Sequence, residues 1–245
     1  MPERRLSVGV IGGMGPEATV DFFGKLVAAT PATRDQEHLR VLIDNDPGVP
    51  DRSAAVAGSG PSPAPRLAAM ARGLVASGAE LLVMPCNTAH AFVEAVIEAV
   101  PGTPFVSLID ATVERCAERV PGLRRVGLLA TRGTLRSRIY HDAFEAAGVT
   151  ALVPDEADQR LVDEAIAAVK AARVGDAERS ALRAVAQRVA SAGAELVVTA
   201  CTELPLVLRD GDLIGAAGPV PVVASTDALV ARTIAVACGG ASTAT

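Results

Sequence analysis

Apolar and polar positions along the chain fall into alternating blocks of two kinds. Continuous apolar runs are bounded by turn residues, and between them lie longer stretches with one apolar face. "LSVGVIGG" (6–13) predicts a buried strand and is followed by a helical pattern from about Glu17 to Ala29. "LRVLIDN" (39–45) predicts the next strand. A loop rich in Gly, Pro and Ser, "AGSGPSPAPR" (57–66), leads into a helix ending near Ser77. "AELLVMP" (79–85) predicts a strand with a helix over 88–100, and "TPFVSLID" (103–110) a strand with a helix to about Val120. Strand and helix in strict alternation imply an α/β fold with mainly parallel sheets.

The pattern then repeats. "RVGLLATRGT" (125–134) reads like "SVGVIGGMGP" (7–16), at an offset of 118 residues. "SAGAELVVTACTE" (191–203) reads like "ASGAELLVMPCNT" (76–88), at an offset of 115 that brings Cys201 onto Cys86. A period this long is one duplication and not a solenoid. Two similar, pseudo-symmetric α/β lobes are expected, the first from 1–110 plus 220–245 and the second from 111–219. The closing segment "VPVVASTDALVARTIAVA" (220–237) is too short for a third lobe and is expected to pack back on the first. The active site is expected in the cleft between the lobes, where strands of open parallel sheets end.

Composition narrows the possibilities. A net charge of −5, without any run of Lys and Arg, gives no footprint for nucleic acid. No stretch of about 18 apolar residues suggests a membrane span. "MPERRLSVGVIGG" lacks the apolar region of a secretory signal, so a cytoplasmic setting and reduced thiols are expected. The four cysteines (86, 116, 201, 238) form no C-x-x-C pair, which argues against structural zinc. Lys25 and Lys170 are the only lysines, and neither sits in a motif for a pyridoxal Schiff base. "GGMGP" lacks the Lys-Ser/Thr ending of a phosphate loop, and Gly13-x-Gly15-x-x-Ala18 fits the dinucleotide fingerprint only partly. No cofactor and no metal are expected.

Chemistry concentrates in the repeated motif. Cys86 in "MPCNTAH" and Cys201 in "TACTELP" each follow a predicted strand and precede a predicted helix start. Facing each other about a pseudo-two-fold axis, two thiols reach one ligand from opposite sides. That arrangement suits inversion of a carbon centre, one group removing a proton and the other returning one. A thiol, with an ordinary pKa near 8.5, can be tuned toward this work by amide N–H groups and nearby charge. Retention of two small buried side chains from an ancestral half is the bland alternative. Cys116 and Cys238, inside predicted helices and without counterparts, are expected to be plain packing residues.

The stretches "IGGMGPEAT" (11–19), "DNDPGVPDRS" (44–53), "PCNTAH" (85–90), "LLATRGTLRSRIY" (128–140) and "ACTELPL" (200–206) resemble the aspartate/glutamate racemase family, specifically its aspartate racemase branch, which works without pyridoxal phosphate. The resemblance extends over nearly the whole chain. It implies Cys86 and Cys201 as the acid–base pair, with Met14 bordering the substrate. It implies that Asn87, Thr88 and Thr202 hydrogen-bond the α-carboxylate and ammonium, that Arg52 holds the side-chain carboxylate, and that Lys170 lines the site from the second lobe. The substrate implied is a small acidic amino acid, aspartate or glutamate, and the assembly implied is a homodimer. Ser53 stands where the family usually has Thr, and Ala200 where it commonly has Gly.

Several residues carry two readings. His90, one helical turn past Cys86, either tunes the thiol or bonds elsewhere. Glu203 either orients Cys201, binds an ammonium, or caps its own helix. His38 and His141 read as surface residues. The loop at 57–66 reads as a lid or as a passive surface segment. Rival functions are a lyase or isomerase of the same superfamily, acting on malonates, maleate or hydantoins, and a two-lobed protein that binds a small acid without chemistry.

Overall fold

The computed structural model describes residues 5–171, 173–215 and 218–239. Its first lobe begins with β1 (Val8–Gly12) and α1 (Pro16–Ala29), then β2 (Val41–Asn45), α2 (Arg52–Val56) and α3 (Ala64–Ala76). It continues through β3 (Leu81–Val83), α4 (Val93–Ala99), β4 (Phe105–Val106) and α5 (Leu108–Arg119). The second lobe opens with β5 (Arg125–Ala130), the short α6 (Arg132–Arg136), α7 (Ile139–Ala146) and β6 (Thr150–Leu152). There follow α8 (Glu156–Lys170), α9 (Asp176–Ser191), β7 (Leu196–Ala200), the two-residue strands β8 (Ile214–Gly215) and β9 (Gly218–Pro219), β10 (Val222–Ala224) and α10 (Ser225–Ala237).

Two four-stranded sheets result, ordered β2-β1-β3-β4 and β6-β5-β7-β10, all of their pairings parallel. The duplication is visible in the register. Val8 lies opposite Leu81, and Val126, 118 residues on, lies opposite Leu196. Among the described residues only the β8–β9 pair is antiparallel.

The closing segment corrects one expectation. Its strand, β10, joins the second sheet beside β7 rather than returning to the first. The reason is that the duplication runs to the end of the chain. Phe105 and Val106 pair with Leu82 and Val83, and Val222 and Val223 pair with Val197 and Val198 in the same register. "PFVSLIDA" and "PVVASTDA" are thus equivalent at an offset of 117. The helix α10 does reach back, packing on α1 and on its counterpart α5. Residues 1–4 and 240–245 of the expected first lobe lie outside the described residues.

One apolar core joins both lobes. It contains Val8, Phe22 and Leu81 of the first lobe with Val126, Tyr140, Phe144 and Leu196 of the second, and Leu229 of α10. The helices α1, α5, α7 and α10 supply its middle layer between the sheets. Each sheet's outer face has its own cluster, Leu67, Met70 and Leu82 under α3 in the first lobe, Val162, Leu182 and Val197 under α8 and α9 in the second. "SLID" is the start of α5 and not strand, because Ser107 caps that helix by accepting from Asp110 N–H at 3.1 Å.

Candidate active site

The loops after β3 and β7 bring Cys86 and Cys201 to one small cavity between the lobes. All eight residues singled out above line it: Met14, Arg52, Cys86, Asn87 and Thr88 from the first lobe, Lys170, Cys201 and Thr202 from the second. Asp51, Ser53, Thr131 and Glu203 complete the lining. Of these, Asp51 and Thr131 carry no expectation from sequence, although "LLATRGT" places Thr131 at the end of a duplicated strand.

The two thiols sit in unequal fields. Both are nearly buried, and burial pushes both above the ordinary thiol range because the charged form loses its hydration. At Cys86 the positive charges of Arg52 and Lys170 and the Ala89 N–H oppose that rise. Glu203 adds to it at both sites, by charge alone at Cys86 and by charge and a side-chain hydrogen bond at Cys201. There Lys170 and the Glu203 N–H oppose it, and the thiol is still pushed well up. The Cys201 thiol donates to Glu203 Oε2 at 2.9 Å, and the Thr202 hydroxyl donates to the same oxygen at 3.2 Å. Lys170 Nζ lies 3.9 Å from Glu203 Oε1. Glu203 therefore orients the thiol and does not cap a helix.

The remaining polar groups are mostly donors. Arg52 opens α2 and spends one terminal nitrogen on the carbonyls of Val49 and Pro50, each at 3.1 Å, while its Nε is buried without a partner among the described residues. Asp51 caps the same helix, accepting from Ala54 N–H at 2.7 Å. The hydroxyls of Thr88, Thr131 and Thr134 lie within 3.0 Å of one another across the lobe boundary. The helices α2 and α6 meet above them at Gly133, where a Cβ would come within 2.5 Å of Ser53 Oγ.

Other motif residues are absorbed by structure. His90 Nε2 accepts from Leu108 N–H at 3.1 Å, so its Nδ1 carries the proton toward Cys86 O, 2.9 Å away. Burial lowers its pKa to about 4, which keeps the ring neutral, and it braces the loop backbone rather than the thiol. In "GGMGP" the Gly13 N–H donates to Thr19 Oγ1 at 2.9 Å, and Gly13, at φ +91°, passes so close to the Asp46 backbone that no side chain fits. That turn serves packing. None of residues 57–66 lines the cavity, and Ser59 folds back on Ala54 O. Cys116 is fully buried, its pKa pushed up to about 12 by burial. Among the described residues no group of three or more His, Cys, Asp or Glu is placed to hold a metal, and no helix is long and apolar enough to cross a membrane.

Comparison with known proteins gives a consistent result. A family model described as Asp/Glu/Hydantoin racemase matches residues 11–233. The aspartate racemase of Picrophilus torridus is similar in structure, with a TM-score of 0.80 at 31% identity over 94% of each chain. An aspartate racemase homologue from Pyrococcus horikoshii gives a TM-score of 0.69 at 26% identity, over 94% of this chain and 98% of the other. In sequence, the broad-specificity amino-acid racemase RacX of Bacillus subtilis is 25% identical over 93% of this chain and 96% of its own.

Proposed function

Because the chain belongs to the Asp/Glu/Hydantoin racemase family, we propose that it inverts Cα of a small acidic amino acid, aspartate or glutamate, by proton transfer between Cys86 and Cys201. The observation that carries this reading is the placement of both thiols, from equivalent loops of the two lobes, on one small cavity.

In this reading the reacting pair holds one proton between its two thiols, although burial favours the protonated form of both. Cys86, beside Arg52 and Lys170, is the easier to deprotonate, and Cys201, hydrogen-bonded to Glu203, retains its proton. The Cys86 thiolate removes the Cα proton from the enantiomer that presents it. The electron pair passes to Cα and its carboxylate, and the Cys201 thiol delivers a proton to the opposite face. Cys86 is then a thiol and Cys201 a thiolate, and exchange with solvent restores the starting state. The reverse reaction interchanges the roles. Hydrogen-bond donors at the carboxylate must stabilise the carbanion; Thr88 and Thr131 line the cavity, while the Thr202 hydroxyl donates to Glu203 Oε2. Arg52, with a buried Nε unpaired among the described residues, suits a side-chain carboxylate, which a guanidinium binds in a two-point fork.

The proposal is tested by incubating reduced protein with L-aspartate and with L-glutamate in D₂O, following optical rotation and loss of the Cα proton signal. Deuterium at Cα together with decaying rotation is expected for one of them. No exchange with either would remove the reading and leave a lyase or a simple binding protein as the alternatives. A homodimer belongs to the same proposal. The exposed apolar side chains of Val20, Phe23 and Val27 on α1 offer a surface for it, and a monomeric mass in sedimentation equilibrium at micromolar concentration would remove it.

A further inference from the structure

Asn87, next to Cys86, is held by a buried hydrogen-bond chain whose polarity is forced. The chain starts at the carbonyl of Thr199 in β7, two residues before Cys201. A carbonyl only accepts, so the Ser225 hydroxyl, 3.1 Å away, must donate to it. Having spent its proton there, Ser225 Oγ can only accept from Asn87, 3.1 Å away, and the Asn87 atom facing it must be Nδ2. Asn87 Oδ1 is thereby turned to Tyr140, whose hydroxyl donates to it at 2.6 Å. Asn87 Oδ1 carries no proton, so in a contact of 2.6 Å the phenol must supply it. Burial pushes its phenol far above the ordinary range, so the proton stays on. Thr112 Oγ1, whose own proton goes to Leu108 O at 2.7 Å, is a second and longer acceptor for the phenol at 3.3 Å. All four members of the chain, Thr199, Ser225, Asn87 and Tyr140, are buried.

The consequence falls on the cavity. Asn87 lines it, its amide oxygen is occupied, and one Nδ2–H has no partner among the described residues. We infer that Tyr140 and Ser225 are positioning residues, which fix the Asn87 amide so that it offers a ligand a donor and never an acceptor. A fixed donor recognises a carboxylate and rejects an ammonium at that point. This rests on the proposed function for the identity of the ligand, a small amino acid. It also ties the loop bearing Cys86 to the strand leading into Cys201, so one chain of hydrogen bonds sets both the donor and the relative position of the thiols.

The residues act through Asn87, and that is what a double-mutant cycle can read. Tyr140→Phe and Ser225→Ala, measured separately, are each expected to raise KM for the amino-acid substrate about tenfold, with kcat within about threefold of the parent, as for loss of a hydrogen-bonded binding contact. Asn87→Ala is expected to do at least as much. The diagnostic step is to add Ser225→Ala, or Tyr140→Phe, to Asn87→Ala, where no further loss in kcat/KM is expected. Multiplying effects would mean that the two residues support the fold only, and would overturn the inference. Thermal unfolding of each variant monitors folding, and the Tyr140 and Ser225 arms are independent should one fold poorly. The same cycle read by calorimetric binding of L-aspartate and of succinate separates the two claims. If binding follows the cycle while no Cα exchange occurs in the parent protein, the racemase reading falls and the positioning role stands. If exchange occurs but the effects multiply, only the positioning role falls. If the parent binds neither acid, both fall.

Discussion

Cys86 and Cys201 are chemically the same residue at equivalent points of a duplicated chain, and their neighbours make them different. The charge of Arg52 opposes the effect of burial at Cys86, whereas at Cys201 Glu203 reinforces it by charge and by a side-chain hydrogen bond. In protein without substrate, iodoacetamide is expected to modify Cys86 before Cys201, because the thiolate is the reactive form. The rates of both should climb as pH passes above the ordinary thiol range, Cys86 first, since both pKa values are raised. Glu203→Gln removes the negative charge that holds the Cys201 proton and should speed labelling of Cys201 several-fold. Peptide mapping over a pH series reads this, and equal rates for the two cysteines at every pH would contradict the asymmetry. The sequence showed both thiols, since their local motifs repeat. It left Glu203 and His90 ambiguous, since each answer depended on a partner distant in the chain or on exact geometry. His90 took its partner from α5, at Leu108 N–H, and no local pattern announces that.

Among the elements, the two shortest helices near the cleft matter most. Each opens on a capped turn, Asp51 accepting from Ala54 N–H and Thr131 from Thr134 N–H, and each caps with a residue that also lines the cavity. They touch where Gly133 leaves no room for a side chain against Ser53. Gly133→Ala is expected to force α2 and α6 apart, costing about 1–3 kcal/mol as overpacking does, and to lower kcat/KM at least tenfold by displacing Arg52 and Thr131. Gly24→Ala in α1, where a Cβ meets nothing within 4 Å, is the control and should be neutral or gain up to about 1 kcal/mol from helix propensity. Thermal unfolding and steady-state kinetics of the pair test it, and an active, stable Gly133→Ala protein would show that this contact does not set the cleft. Such five-residue helices are hard to see in sequence. Too short for a periodic apolar face, α2 lies within "PDRSAAVAG" and α6 within "TRGTLRS". The strands and long helices of the first lobe, in contrast, were legible almost throughout, because a buried parallel strand is a continuous apolar run. In the second lobe the repeat pointed to β5 and β7, while β6, α8 and α9 carried no expectation.

For the molecule as a whole, duplication explains most of the architecture. Two sheets of the same strand order enclose shared helices, and one core passes through both lobes. The misplaced strand β10 shows where a reading of the sequence stops short. Its identity with β4 in the repeat is weak, only a proline, paired apolar residues and an Asp-Ala, and the pairing became clear from register. The lobes share one core, and the proposed mechanism requires that a ligand between the thiols meet them on opposite faces. The most direct measurement of that claim is to compare Cys86→Ser and Cys201→Ser proteins with the parent, supplying each enantiomer of the substrate separately in D₂O. Both variants are expected to lose racemisation by at least about 100-fold, the usual scale for removing a general acid or base. Any Cα exchange that remains should be confined to one enantiomer, and to opposite enantiomers in the two variants. Racemisation at the parental rate in either variant would contradict the two-thiol account.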